Sequence, residues 1–202
     1  EDTKGVSKAV SKVRFLSTLI VNSTSTLGFL STVSIVVIGS HLIWSSSLTI
    51  GDNSQIDDFV FLNAGQKTII GQFVHISSFC SITGGGTLIM EDFSGLAAGC
   101  RIITGSDDFS GNGLTNPTVS EKFKNVSKGV VTISRHAILG VNVIVFPGVI
   151  IGEGAAVGAG SIVRKNLNPW TIYAGTSCRE VRSRNKDTIL NLERDFLEEV
   201  GS

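Results

Sequence analysis

Aliphatic residues recur at every sixth position between residues 133 and 163. They take the first position of each six: Ile133, Leu139, Val145, Ile151, Val157 and Val163. The fifth position of each six holds a small or β-branched residue: Ala137, Val143, Val149, Ala155 and Ser161. An α-helix repeats its apolar face every 3.6 residues and a strand every second residue, so neither explains a strict period of six. This period is typical of a chain that runs straight, turns a corner and repeats, with three sixes closing one triangular coil.

The first and fifth positions are predicted to point into a prism formed by stacked coils. Gly140, Gly152 and Gly158 directly follow a first position, and glycine suits a corner where a side chain would crowd the turn. Each coil lays parallel strands on the coil before it, which satisfies the backbone donors and acceptors of both. The predicted fold is therefore all-β, a parallel β-helix of hexapeptide repeats.

The same period extends toward the N-terminus and is broken at regular places. Further first positions are predicted at Trp44, Ile50, Ile56, Leu62, Ile70, Ile76, Ile82, Met90, Leu96 and Ile102. Two extra residues precede both Ile70 and Met90, three sixes apart, which supports three sides per coil and one looser corner. After Ile102 the rhythm stops until Ile133. The polar residues 103–132 are therefore predicted to form a long loop that leaves one corner, and such loops are usually functional or disordered.

The two ends of the chain do not follow the period of six. We predict a lead-in arm over residues 1–27, the β-helix over 28–170, and an exit segment with a C-terminal helix over 171–202. Residues at helical spacing give this helix one apolar face: Ile189, Leu192, Phe196 and Val200. The helix is expected to pack on the end of the prism or on a neighbouring subunit. The uncharged residues 15–39 contain too many Ser and Thr residues for a membrane span.

Composition narrows the possible functions. The chain has 202 residues with 17 Lys and Arg and 17 Asp and Glu, so its formal net charge is zero, and a general nucleic-acid-binding surface is not indicated. Two of the three cysteines, Cys80 and Cys100, fall at fifth positions and are predicted to be buried thiols. No cysteine pair has metal-ligand spacing, so we expect a reducing cytoplasm and no bound metal.

Several motifs resemble the left-handed β-helix acyltransferases, which use acyl-coenzyme A. Residues 146–163 resemble the last coils of that superfamily, and residues 173–182 resemble its exit segment. A narrower likeness to sugar acyltransferases of bacterial surface-polysaccharide pathways, among them the dTDP-4-amino-4,6-dideoxyglucose N-acyltransferases, rests on four motifs: Val74-His75-Ile76, Ser106–Gly111, Asn116-Pro117-Thr118 and Lys128-Gly129. The resemblance covers about residues 28–198. It implies left-handed coils, acetyl-coenzyme A as cosubstrate, and a homotrimer whose sites lie between neighbouring prisms.

The resemblance implies transfer of an acetyl or other short acyl group to the amino group of a nucleotide-linked amino-deoxysugar. O-acetylation of a sugar hydroxyl is the alternative, but a hydroxyl depends more on a positioned His base. The galactoside and maltose O-acetyltransferases carry that His in the loop after the early coils, where this chain reads Gly105-Ser-Asp-Asp108. Ala97 also departs from the pattern, because close relatives are expected to carry a substrate-binding Ser there.

Two further function classes are compatible with the predicted prism. A γ-type carbonic anhydrase uses the same prism with three His around zinc. The three His residues of this chain, His41, His75 and His136, lack the paired close spacing of such a site. A non-catalytic scaffold is the last alternative, and binding of coenzyme A would decide against it.

His75 is the first candidate catalytic residue. It precedes the first position Ile76, so it should project outward near a corner, and an imidazole can accept a proton at neutral pH. Asp107, at the start of the loop, would hold the sugar amino group, although loop carboxylates ordinarily cap turns. Glu153, at a late corner, is the third candidate and is otherwise a solvated turn residue. If a neutral amine attacks unaided, His75 and Asp107 mainly orient the substrate.

The resemblance also implies binding residues for coenzyme A, and the loop supplies candidates for the nucleotide-sugar. Those for coenzyme A are Gly140, Gly158, Ala159, Arg164, Lys165 and Arg182, with Arg184 nearby. Those for the nucleotide-sugar are Asp108, Asn116, Phe123 and Lys124. His41 and His136 are expected to be surface residues without a role.

Overall fold

Three parallel sheets form the three faces of a prism in the computed structural model, which describes residues 18–21, 41–43 and 47–200, the first two ranges by backbone only. Face A contains β1 (Thr18–Val21), β4 (Ser54–Asp57), β7 (His75–Ile76), β10 (Gly95–Leu96), β15 (Ile138–Leu139), β18 (Ala156–Val157), β20 (Thr171–Ala174) and β21 (Arg179–Ser183). Face B contains β2 (His41–Ile43), β5 (Phe61–Asn63), β8 (Ser81–Thr83), β11 (Arg101–Ile103), β16 (Ile144–Val145) and β19 (Ile162–Val163). Face C contains β3 (Leu48–Ile50), β6 (Lys67–Ile70), β9 (Thr87–Met90), β14 (Val130–Ile133) and β17 (Ile150–Ile151).

The chain visits the faces in the order C, A, B, and each visit adds a strand to the strand of the previous coil. The pairings are parallel except at the two edges of face A, where β1 pairs with β4 and β20 pairs with β21 antiparallel. Face A continues beyond residue 170, because β20 still pairs in parallel with β18. The predicted parallel β-helix is thus confirmed. The predicted starts of the arm and of the β-helix, at residues 1 and 28, lie outside the described residues.

The first and fifth positions of the sixes point into the prism, as predicted. First positions that are at most 3% exposed are Ile56, Leu62, Ile70, Ile76, Ile82, Met90, Leu96, Ile102, Ile133, Leu139, Val145, Ile151, Val157 and Val163. Cys80 and Cys100 at fifth positions are buried free thiols, which confirms that prediction. The first position Trp44 lies outside the described residues, and Ile50 is only partly buried against the core.

The corners turn at the fourth position of each six, where the backbone adopts the left-handed conformation. Glycine fills this position at Gly148, with φ +81°, whereas Phe73 and Phe93 adopt it despite the steric cost to a side chain. The glycines at second positions have a different reason, which is close approach between coils. A Cβ on Gly140 would lie 2.8 Å from the backbone nitrogen of Ala159.

The long loop leaves the corner between faces B and C, where the two-residue insertions also occur. It departs after β11 and returns at β14, so residue 103 and residues 130–132 of the predicted loop belong to strands of the prism. Its ends pair as a short antiparallel ladder of β12 (Gly105–Ser106) and β13 (Ser127–Lys128), and a 3₁₀ helix spans Glu121–Phe123. Thr104 fixes the base of the loop. Its hydroxyl donates to Thr83 O at 2.8 Å and accepts from Gly86 N at 2.9 Å, and its carbonyl accepts from Gly129 N.

The C-terminal helix α1 (Lys186–Val200) packs along the corner between faces C and A of its own chain, rather than on the end of the prism. The Phe196 ring lies edge-on to the stacked rings of Phe73 and Phe93, with centroids 5.3 and 6.1 Å away. The apolar face of the helix is only partly covered, since Leu192 is 62% exposed. No helix within residues 47–200 is long and apolar enough to cross a membrane.

Candidate active site

His75 projects outward from face A, as its place before a first position predicted. Its side chain is 51% exposed, and its Nε2 lies 3.0 Å from Oδ2 of Asp57 on the preceding coil. The strand register places Gln55 beside His75 on one side and Gly95 on the other. His75 is therefore an accessible imidazole that is held by a carboxylate.

Asp57 is itself held by three neighbours. Gln55 Nε2 donates to Asp57 Oδ1 at 2.8 Å, and His75 and Ser77 also hydrogen-bond to the carboxylate. Partial burial raises the pKa of Asp57, but the hydrogen bonds from Gln55, His75 and Ser77 outweigh it, so the pKa lies below its usual value. Asp57 is thus a carboxylate at neutral pH.

Asp57 is not among the site residues predicted from the sequence. Asp57 follows the first position Ile56, and His75 precedes the first position Ile76, which pairs with Ile56 in the next coil. Aligning the coils on their first positions would have placed the two residues diagonally across neighbouring strands. The sequence therefore contains the signal for this contact, but the signal becomes visible only when the coils are aligned with each other.

On face A, the residues that directly follow the first positions form a column, which we call the column of second positions. It extends from the Asp57–His75 pair to the late coils. The column contains Asp57, Ser77, Ala97, Gly140 and Gly158 on successive coils. At one strand spacing per coil it is roughly 19 Å long. The column thus connects His75 with two of the glycines that the resemblance assigns to coenzyme A.

The backbone amides of these glycines are used within the β-helix. The N–H groups of Gly140 and Gly158 donate to Val157 O and Tyr173 O at 2.8 and 2.7 Å. Ala159, which comes next at the corner, is exposed. Of the three, the exposed corner residue Ala159 is the better placed to offer backbone groups to a pantetheine arm.

The basic residues predicted for the phosphates of coenzyme A fall into two groups. Arg164, Lys165 and Arg182 are exposed, and the Arg164 guanidinium lies over the Phe146 ring at 5.3 Å. Arg184, in contrast, is partly buried and donates from Nη1 to His136 O and Gly154 O at 2.8 and 2.9 Å. Arg184 is therefore a structural bridge between coils.

Asp107 and Asp108 begin the loop but have different surroundings. Asp107 is exposed. Asp108 accepts hydrogen bonds from the backbone of Ser110 at 2.8 Å and of Asn112 at 2.5 Å, and from the Ser110 hydroxyl. Hydrogen bonds from Ser110 hold the pKa of Asp108 below its usual value. Asp108 therefore stabilises the local turn of the loop, and its role in substrate binding stays a prediction.

The loop brings together some of its predicted substrate residues. Asp107, Asp108 and Asn116 line one open hollow of about 700 Å³. Asn116 Oδ1 accepts from the Thr118 backbone and hydroxyl, which shapes the local turn. Phe123 and Lys124 lie outside this lining. Lys124 is bound to Glu121 at 2.5 Å with a largely buried side chain, and Phe123 is 52% exposed.

The loop and His75 are on opposite sides of one prism. The loop leaves the corner between faces B and C, whereas His75 lies on face A, which that corner does not touch. Within a triangular cross-section, the corner between two faces is opposite the third face. The structure therefore does not bring Asp107 next to His75 through the coils of a single chain.

Glu153 lies at the corner between faces C and A. Its coil is three steps from that of His75, which is roughly 14 Å along the prism axis. Its charge acts on His136, and its backbone carbonyl accepts from Trp170 N at 2.7 Å. The structure therefore does not place this third catalytic candidate beside His75.

His136 was predicted to be a surface residue, and this prediction is wrong. It is 8% exposed, stacks on Phe93 with ring centroids 5.2 Å apart, and lies beneath α1. Burial is the main cause that lowers the pKa of His136, and Arg135 and Arg184 add to it. The side chain of His41 lies outside the described residues.

No metal site is visible in the described ranges, because no three His, Cys, Asp or Glu side chains there cluster closely enough to hold an ion.

No family model matches the sequence. Individual proteins do match. The chain is 35% identical over 151 residues to dTDP-4-amino-4,6-dideoxy-D-glucose acyltransferase from Escherichia coli, covering 74% of this chain and 78% of the relative. It is 32% identical over 139 residues to WbbJ of E. coli K12, described as a putative lipopolysaccharide biosynthesis O-acetyl transferase, covering 69% of this chain and 62% of the relative.

Solved structures of AntD, an N-acyltransferase from Bacillus cereus, also match. The complex with dTDP and 3-hydroxybutyryl-CoA is 41% identical with a TM-score of 0.70, covering 76% of this chain and 80% of AntD. A variant in complex with dTDP-4-amino-4,6-dideoxyglucose and coenzyme A is 41% identical with a TM-score of 0.72, covering 76% and 82%.

Fold and relatives define one class, the acyltransferases built on a β-helix of hexapeptide repeats. Since the identity to the E. coli enzyme extends over more than two thirds of both proteins, the chain belongs to the family of dTDP-4-amino-4,6-dideoxy-D-glucose acyltransferases.

Proposed function

We propose that this protein transfers an acyl group from an acyl-coenzyme A to the 4-amino group of dTDP-4-amino-4,6-dideoxyglucose. The observation that carries the proposal is the 41% identity to AntD, whose solved complexes contain coenzyme A or an acyl-coenzyme A together with dTDP or this dTDP-sugar. The similarity to WbbJ supports a place in the assembly of bacterial surface polysaccharides.

The chemistry requires few groups from the protein. The neutral amine attacks the thioester carbonyl carbon, a C–N bond forms, the C–S bond breaks, and the sulfur leaves with the bonding electrons. His75 would receive the proton that the amine loses, and Asp107 would orient the amino group. Ala159 and the exposed Arg164, Lys165 and Arg182 are the proposed contacts for coenzyme A.

A homotrimer with sites between neighbouring prisms is part of this proposal. It is supported by the location of His75 and the loop on opposite sides of one prism, because a neighbour could supply the loop to face A. It is also supported by a stacked aromatic pair at the corner between faces A and B. The ring centroids of Phe59 and Phe79 lie 5.2 Å apart, the two residues are 54% and 58% exposed, and each follows Asp57 or Ser77 by two positions in the chain.

The first test is thiol release from acetyl-coenzyme A in a single turnover, with dTDP-4-amino-4,6-dideoxyglucose compared with its 4-hydroxy counterpart. Release with the amine only is expected. Thiol release with the 4-hydroxy sugar only would show that the protein catalyses O-acylation rather than N-acylation. Thiol release with neither sugar would overturn the acceptor assignment. Repeating the assay with 3-hydroxybutyryl-coenzyme A then identifies the preferred acyl group.

The shared site can be tested by mixing variants. His75→Ala and Asp107→Ala chains are each expected to have low activity. If every site takes His75 from one chain and Asp107 from its neighbour, co-expression at equal amounts restores about a quarter of the sites in a cyclic trimer. A mixture no more active than its components would overturn the shared site, and sedimentation velocity independently reports the number of subunits.

A further inference from the structure

We infer that Asp57 is a positioning residue that holds the His75 imidazole in the tautomer with Nε2 protonated, which leaves Nδ1 to accept a proton from the substrate. The inference rests on the proposed function, since it assigns a partner to the proposed base. It concerns a residue for which neither the motifs nor the relatives provide a role.

The hydrogen-bond geometry determines the tautomer. An ionised carboxylate can only accept hydrogen bonds, so the 3.0 Å contact between Asp57 Oδ2 and His75 Nε2 requires the proton to be on Nε2. In a neutral imidazole the other nitrogen is then an acceptor. Nδ1 is therefore the atom available to a reacting amine.

Asp57 is well fixed for this task. Its side chain is only 19% exposed, compared with 51% for His75. Gln55 donates to Oδ1, so one oxygen is oriented by Gln55 while the other contacts His75. A carboxylate held on both oxygens restricts the imidazole to one ring orientation, which is the requirement for a preorganised base.

The coil on the other side leaves space beside His75. The register partner there is Gly95, and a Cβ added to Gly95 would meet its nearest neighbouring atom, His75 O, at 3.8 Å. Backbone packing therefore does not require glycine at this position. Because Gly95 has no side chain, the His75 imidazole is open toward the late coils. The column of second positions runs in the same direction to Gly140 and Gly158.

In the proposed step Nδ1 takes the proton released from the substrate nitrogen as the C–N bond forms. The imidazolium is stabilised by the Asp57 carboxylate at Nε2. The proton then passes to the departing thiolate, which regenerates the neutral imidazole and gives free coenzyme A. Atoms and charges balance without any further reactant.

The test compares Asp57→Asn with Asp58→Asn, the next carboxylate along the chain. Long-range ¹H–¹⁵N spectra report which ring nitrogen of His75 carries the proton. The wild type and Asp58→Asn are expected to show the Nε2–H form. In Asp57→Asn the side-chain amide can donate to Nε2, so the Nδ1–H form is expected. An Nδ1–H form in the wild type would overturn the inference, whether or not any variant folds.

Kinetics supply the second measurement. A base in the wrong tautomer lowers kcat while leaving KM for both substrates nearly unchanged, and positioned bases contribute roughly 10²-fold or more. We expect Asp57→Asn to match His75→Ala, the double variant to lose no more, and Asp58→Asn to resemble the wild type. Wild-type kcat in Asp57→Asn, with His75→Ala impaired, would overturn the inference.

The two proposals fail in distinguishable ways. If the wild type shows no acyl transfer to the dTDP-amino sugar, the proposed function fails, while the tautomer of His75 is still measured in the same protein. If acyl transfer is observed and the spectra show Nδ1–H, the function stands and the role of Asp57 is overturned.

Discussion

Glu193 of the C-terminal helix lies 2.8 Å from Nε2 of His136, on the corner between faces C and A. Its other carboxylate oxygen contacts Arg135, whose Nη1 is 3.0 Å from Asp92. The side chains of Glu193 and His136 are only 11% and 7% exposed. The helix is therefore joined to two neighbouring coils by one shielded charged group, in addition to the contact of Phe196 with the aromatic corner.

Removing this carboxylate should loosen the helix. Glu193→Ala leaves His136 and Arg135 without their shielded acceptor, and breaking a buried pair from one side typically costs about 3 kcal/mol. Hydrogen exchange of the α1 amides should accelerate more than that of face B amides. Glu198→Ala, an exposed glutamate on the same helix, is the control. Equal exchange rates in the two variants would contradict a docking role for Glu193.

The same corner should make stability sensitive to acid. Because the pKa of folded His136 is lowered, the unfolded chain binds a proton more readily, starting near the ordinary value of about 6.5. This contribution is fully present above pH 6.5 and is lost as the pH falls toward the folded pKa. Between pH 7.5 and 5.5, the thermal midpoint of His136→Asn should fall less than that of the wild type. Asn is chosen because it tolerates the left-handed backbone at φ +59°. Parallel midpoint curves would contradict the assignment.

Gly154 and Gly160 form a matched pair for the packing of Trp170. Both have left-handed backbones, with φ +63° and +69°, so an alanine at either position costs about 1 kcal/mol of strain. A Cβ at Gly154 would also overlap the Trp170 ring, whereas at Gly160 it meets nothing within 4 Å. Gly154→Ala should therefore be less stable than Gly160→Ala by about 1–3 kcal/mol in urea unfolding. Equal losses would show that the Trp170 ring moves aside.

The neighbouring loop carboxylates should separate into a functional and a structural residue. Asp107→Ala should lower acyl transfer while leaving exchange of the Ser110 and Asn112 amides unchanged, because Asp107 does not hold them. Asp108→Ala removes the acceptor of both amides, so their exchange should accelerate severalfold. If Asp107→Ala accelerated the exchange and Asp108→Ala lowered only acyl transfer, the roles of the two residues would be reversed.

The interior of the fold followed from the sequence because it depends on local spacing. Among the described residues, first positions such as Leu139 and fifth positions such as Cys100 are buried as the period predicts, although the first position Ile50 is only partly buried. The corner with two-residue insertions is also the corner from which the long loop leaves. These features repeat within one coil or between adjacent coils, so the six-residue period alone is sufficient to predict them.

The outer surface of the prism could not be predicted in the same way. His136 occupies a fourth position like any other corner residue, and its burial results from the Phe93 ring of the preceding coil and from a helix more than 50 residues later. The contact of Asp57 with His75 likewise depends on which coils become neighbours after each insertion. The burial and contacts of side chains on the outer surface depend on packing between segments that are distant in the sequence. The spacing of residues within the repeat does not predict this packing.

Thr104 closes the base of the long loop, so changes within the loop are separated from the coils of the prism. Its hydroxyl and carbonyl tie together the departing strand, the preceding coil and the returning strand, so the two ends of the loop meet at one closed junction. Segments inserted at such a junction can lengthen, shorten or be exchanged without altering the register of the coils on either side. If the loop binds the acceptor as proposed, acceptor preference can change through the loop while the coils proposed to hold coenzyme A keep their register.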